Sequence, residues 1–143
     1  MEKTDSQSFK DRILSEMRTE HEDSLERNFD LAKSYIRITS TGKVQVLAES
    51  TMPNPQRVAL YLVGKLYARK ADVAADDFVT NKELQEELSL PPGSVNSAVK
   101  ELRDAGILRT ENRGRESAHR VNTSRIEALL KQVSRNKEAE ADA

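Results

Sequence analysis

The sequence predicts a mainly α-helical chain with small β-hairpins, and three observations carry that expectation. Apolar residues recur at helical spacing in several stretches, two of which open on a capping-box pattern, Thr80 with Glu83 and Ser124 with Glu127. Two shorter stretches, "YIRITSTGKVQVL" and the residues around 107–121, read as strands on either side of a glycine-bearing turn. Between two of the helical stretches stands "LPPG", which stops one helix and permits the next, because proline is accepted only in a helix's first turn.

Composition narrows the function classes. A chain of 143 residues has room for one core and an appendage. Hydrophobic residues make up 36% and charged residues 33%, lean enough that part of the chain is expected to lack a core of its own. With no cysteine, disulfides, thiolate nucleophiles and sulfur-ligated zinc are excluded, and the two histidines, His21 and His119, are too far apart in sequence to suggest a metal centre. No cofactor is expected. The longest apolar run, "VALYLVG", is too short to span a bilayer and "MEKTDSQSFK" has no signal-peptide core, so a cytoplasmic protein without a membrane partner is expected. No phosphate-binding glycine loop, nucleophile elbow or paired base and nucleophile stands out, which argues against an enzyme.

The elements follow in order. Residues 1–34 carry nine acids against six bases, and Phe9, Ile13, Met17, Leu25 and Phe29, with Leu14 beside them, form a thin apolar stripe. So polar a helix is not stable alone; it packs on something, most simply a second copy of the chain, or stays a partly ordered arm. In the next stretch a three-residue loop, Ser40-Thr41-Gly42, pairs Ile38 with Val44 and Ile36 with Val46, keeping one face apolar and putting Gly42 where a left-handed residue is needed. That face must be covered by the core or by a partner. Asn54 is the expected N-cap and Pro55 the first residue of a helix that is apolar almost all round from Val58 to Tyr67, with a face to spare for a dimer. Tyr61 and Tyr67 read as core or dimer packing. "DVAADDFV" reads as a loop. Thr80 then caps a helix with Val79 stapled to Leu84, the next helix runs from Pro92 to Ala105 and stops at Gly106, and strands near 107–111 and 116–121 flank the tip "NRGR". A last helix buries Ile126, Leu129, Leu130 and Val133. The expected organisation is an arm plus hairpin over 1–52, a domain over 53–135 and a disordered tail over 136–143.

Residues 54–135 resemble the winged helix-turn-helix DNA-binding family, of the prokaryotic dimeric transcription-regulator type. The most specific stretch is "LQEELSLPPGSVNSAV", where Leu84, Leu88, Leu90, Val95 and Val99, with Leu102 beyond, match the apolar positions of the family's bend. Gln85 stands where alanine is usual and Ser89 where glycine is usual. The resemblance implies that the helix over 92–105 is the recognition helix for the major groove of double-stranded DNA and that the 107–121 hairpin is the wing, set on backbone or minor groove.

Helical spacing independently turns Ser94, Asn96, Ser97, Lys100 and Arg103 away from the face defined by Val95, Val99 and Leu102. Asn96 has the chemistry for a bidentate pair with adenine, and Ser94 or Ser97 for a base edge or phosphate; Ser94 fits first-turn capping equally well. Residues 107–125 hold five arginines against two glutamates, so the chain's net charge of -1 conceals a basic wing built on Arg109, Arg113, Arg115 and Arg120, with Arg125 beyond. Arg113 and Arg115 around Gly114 suit a phosphate or the minor groove. His119 reads as a solvent-facing strand residue. The expected function is a sequence-specific DNA-binding protein, a homodimeric transcription regulator. The alternative is a winged-helix interaction or assembly module that docks a protein partner through the arm and first hairpin.

Overall fold

The structure, a computed structural model, describes residues 8–17, 24–47 and 52–142. Residues 8–12 are helical and run into a π-helical turn, Ile13–Met17. Two single-turn helices, α1 (Ser24–Arg27) and α2 (Phe29–Ala32), lead to strands β1 (Ile36–Ile38) and β2 (Val44–Val46). Then come α3 (Asn54–Lys70), β3 (Val79–Thr80), α4 (Asn81–Leu88), α5 (Pro92–Asp104), β4 (Leu108–Arg113), β5 (Glu116–Val121), a 3-10 turn Thr123–Arg125 and α6 (Ile126–Asp142). Expectations placed on residues 1–7 and 18–23, on the Leu14 side chain and on Ala143 lie outside the described residues. No helix among the described residues is long and apolar enough to cross a membrane.

The first hairpin has the expected register, Ile36 opposite Val46 and Ile38 opposite Val44. Thr39 N–H donates to the Lys43 carbonyl at 2.9 Å and Gly42 N–H to the Thr39 carbonyl at 3.0 Å, which closes the three-residue loop with Gly42 at φ +88°. A two-stranded hairpin is marginal by itself, and this one is seated on α3. Gly64 makes the seat: a Cβ there would lie 2.4 Å from Val44 Cγ1 and 3.0 Å from Ile36 Cγ2. Burial of Ile36 and Val44 contributes at most about 3–6 kcal/mol. The spare apolar face of α3, expected to be available to a dimer, is therefore filled by the chain's own hairpin.

α3 lies at the centre of one core, packed by α4, α5, α6 and both hairpins, with Leu60, Leu62, Leu84, Val95, Ile126 and Leu130 fully buried. Polar anchors fix its neighbours. Tyr61 Oη–H donates to Glu83 Oε2 at 2.6 Å and Lys65 pairs with the same oxygen at 3.3 Å, holding α4 on α3. Arg57 donates to the Leu88 carbonyl at 3.1 Å, satisfying a group at the end of α4 that no intrahelical N–H reaches. Tyr67 Oη–H donates to the Leu25 carbonyl, which ties α1 to α3, and burial pushes its phenol up to about 12.

Several local expectations change. The N-cap of α3 is Pro53, with Asn54 and Pro55 already helical; Pro53 has the extended backbone a cap requires. Thr80 Oγ1 accepts from Glu83 N–H at 3.2 Å, but the Glu83 carboxylate is held by Tyr61 and Lys65, so only half of the capping box forms. At α6 the box is replaced. Asn122 Oδ1 accepts from the backbone N–H and the hydroxyl of Ser124, while Glu127 pairs with Lys131 one turn along. The tail expected to be disordered instead continues α6 to Asp142, in keeping with the helix propensity of "KEAEA". Finally, the end of the "DVAADDFV" loop is a strand: β3 pairs with β5, Val79 opposite His119 and Thr80 opposite Ala118, making a three-stranded sheet ordered β3-β5-β4.

Candidate nucleic-acid interface

The bend between α4 and α5 turns at Ser89, whose φ of 54° and ψ of 46° are left-handed. Leu90 N–H donates back to the Gln85 carbonyl at 3.1 Å, so the chain leaves α4 through the kind of cap that glycine ordinarily provides. α5 starts at Pro92 after an extended Pro91, and no side chain caps it; Ser94 is not the cap. Its final residue is Asp104, with Ala105 as the C-cap.

Val95, Ala98, Val99 and Leu102 are buried, whereas Asn96, Ser97, Lys100 and Arg103 are exposed and Ser94 is half-buried. The side of α5 expected to read DNA is open to solvent. Glu101 and Asp104 are exposed on the same helix, so Lys100 and Arg103 give it no net positive charge. A basic character has to come from the wing.

In the wing, Leu108 pairs with Val121 and Arg113 with Glu116, leaving a two-residue turn of Gly114 and Arg115. Only Gly114 has positive φ, +65°, as a type II′ turn requires. Arg113 thus sits on a strand rather than at the tip. Its guanidinium donates to Glu111 Oε1 at 2.5 Å and to Asp76 Oδ2, and lies 4.7 Å from the centre of the Phe78 ring. The Arg113 hydrogen bond holds Asp76 below the usual carboxylate range against the opposing effect of burial. Arg120 lies 3.6 Å from Asp77 Oδ2, a buried carboxylate that also accepts from Arg69 at 3.0 Å.

The four wing arginines therefore divide. Arg113 and Arg120 fasten the sheet to the loop before β3, and the expected grip of Arg113 and Arg115 on one phosphate around Gly114 is not the arrangement found. Arg109 and Arg115 are exposed, with no carboxylate partner among the described residues, and exposed Arg125 is likewise unpaired.

His119 was expected to face solvent. It is 1% exposed, because β3 covers β5 and brings Asn81 against the ring. Burial, and secondarily the positive charge of Arg103, lower its pKa, so it is neutral at pH 7. Asn81 and Thr110, which hold the ring, carry no signal in local periodicity; neither is among the residues that helical or strand spacing singles out.

A short strand, two helices across a tight bend, and a hairpin beside the second helix make up a winged helix-turn-helix fold. Residues 73–109 match the family model described as Winged helix-turn-helix DNA-binding, from the loop before β3 through α5 to the first residues of β4. Comparison with curated proteins and with solved structures gives no match.

Proposed function

We propose that the chain is a sequence-specific, dimeric transcription regulator of the cytoplasm that binds double-stranded DNA. In this reading α5 enters the major groove, Ser94, Asn96 and Ser97 meet base edges or phosphates, and Lys100 and Arg103 meet phosphates. Arg109 and Arg115 hold the flanking backbone or the minor groove. Arg113 and Arg120, first read as contacts, instead stiffen the wing that carries them. The observation that carries the proposal is the exposure of the polar face of α5 beside two wing arginines that no carboxylate of the described residues neutralises.

For the second half of the dimer, the support is a pair of complementary surfaces. Phe9, Ile13 and Met17 are 65%, 40% and 76% exposed at four-residue spacing, on a segment whose acids Asp11 and Glu16 are balanced by Lys10 and Arg12, so the match is apolar. An apolar groove of about 250 Å³ lined by Phe29, Ile36, Ile38 and Tyr67 is rimmed by Lys33 and Lys70. The occupant proposed for each is the other surface on a second copy. Two recognition helices would then meet half-sites about 34–36 Å apart, one turn of DNA.

The test is titration of a labelled random-sequence duplex at several salt concentrations, with sedimentation of the free protein alongside. About six phosphate contacts per dimer give a log-log salt slope of roughly -5. No binding at low salt would defeat the DNA reading. A chain that sediments as a monomer, unaltered by Ile13→Glu, would defeat the dimer.

A further inference from the structure

A single file of four polar side chains runs from the wing to α5. Thr110 Oγ1 lies 2.9 Å from His119 Nδ1, and His119 Nε2 lies 2.7 Å from Asn81 Oδ1. Asn81 Nδ2 donates to Asn96 Oδ1 at 3.1 Å. Matching donors to acceptors orients the whole row. The ring is buried and neutral, so it has one proton to place. With that proton on Nε2, the ring donates to Asn81 Oδ1 and leaves Nδ1 bare to accept from the Thr110 hydroxyl. The opposite tautomer would leave the hydroxyl hydrogen of Thr110 with no acceptor among the described residues. Asn81, accepting through Oδ1, has only Nδ2 to offer its neighbour. The Asn96 amide is thereby oriented, its oxygen turned toward Asn81 with one of two lone pairs taken, and both Nδ2 hydrogens remain for an outside partner.

Resting on the DNA reading above, we propose that His119 and Asn81 are positioning residues that hold the Asn96 amide with its oxygen toward Asn81 and its nitrogen outward. On a recognition helix such a group selects base edges made of acceptors, O6 and N7 of guanine or O4 of thymine. It disfavours the bidentate adenine pair expected of an unconstrained asparagine, because that pair needs the amide oxygen, here turned toward Asn81, beside the nitrogen on one base edge. Sequence preference at this base is thus set from the wing strand and the first turn of α4, by side chains that touch no DNA. The positive charge of Arg103, secondary to burial, reinforces the neutral state of the ring.

Two measurements on the full chain test the proposal. Long-range proton–nitrogen correlation of the ¹⁵N-labelled protein reads the His119 tautomer directly: a proton on Nε2 is expected, and a neutral ring carrying it on Nδ1 overturns the assignment. The second compares duplexes selected from a random pool at about 50 mM salt by the wild type, Asn81→Asp and Asn96→Ala. Aspartate suits the first turn of α4, where a negative charge is favourable, so the fold is kept. Its carboxylate can only accept; Asn96 must then donate to it and turn its oxygen outward. Expected is a shift at one base position from guanine or thymine to adenine, by roughly five- to a hundredfold in relative affinity. Asn96→Ala loses the preference at that position. An Asn81→Asp protein that keeps the wild-type preference overturns the proposal alone, while failure of the wild type to retain any duplex overturns the DNA reading and this proposal with it.

Discussion

Arg115 and Arg113 are separated by one glycine, yet the structure gives them different work, and substituting each by alanine tells them apart. Arg115 is exposed at the turn with no carboxylate partner among the described residues, so in the proposed complex it displaces counterions from one phosphate per protomer. Each such contact accounts for about 0.9 of the log-log salt slope. Removing two per dimer should flatten a slope of roughly -5 to roughly -3. Arg113 is already matched by Glu111 and Asp76, so Arg113→Ala should leave the slope near its starting value. Its effect should fall elsewhere: Asp76 Oδ1 also accepts from the Phe78 N–H at 3.1 Å, and loss of the guanidinium should hasten hydrogen exchange at Phe78. Fluorescence anisotropy of one duplex between 50 and 300 mM salt, roughly the range over which such contacts are resolved, supplies the slopes. Equal flattening by the two variants would refute the division of the wing into gripping and fastening arginines.

Two stability predictions follow from the same structure. Ser89→Gly relieves a left-handed backbone that a side chain disfavours, and should stabilise the fold by about 0.5–1 kcal/mol, raising Tm by about 2–4 °C; a lower Tm by circular dichroism would show that the bend carries no such strain. His119 has a folded pKa below its unfolded value of about 6.5, so the unfolded chain takes up the proton first as pH falls. Stability is complete above about pH 6.5 and declines below it, by at most about 1.4 kcal/mol per pH unit until the folded ring titrates. In urea melts between about pH 7.5 and 5, His119→Gln should lack this component; identical pH profiles would contradict a buried neutral ring.

Features set by neighbours in sequence were legible, and those set by distant partners were not. The register around Gly42 and the solvent face of α5 both follow from spacing within a dozen residues, Ile36 to Val46 in one case and Val95 to Leu102 in the other. Local spacing makes Glu83 a full capping partner, whereas Tyr61, which takes its carboxylate, belongs to the preceding helix. Arg113 and Arg120 looked available because their acids, Asp76 and Asp77, stand far upstream in a loop with no periodicity to place it. β3 has two residues, too few to alternate. Without its pairing, strand spacing alone puts His119 at the surface and gives no signal for Asn81, the link between the wing and α5.

The notch that Gly64 leaves in α3 bears on how this molecule is cut or transplanted. A fragment trimmed to begin at Pro53 would keep the bend and the wing but strip the lid from a helix shaped to receive it, baring apolar side chains to water. The bend and wing are consequently not a portable cassette; residues 24–47 travel with them as part of their foundation.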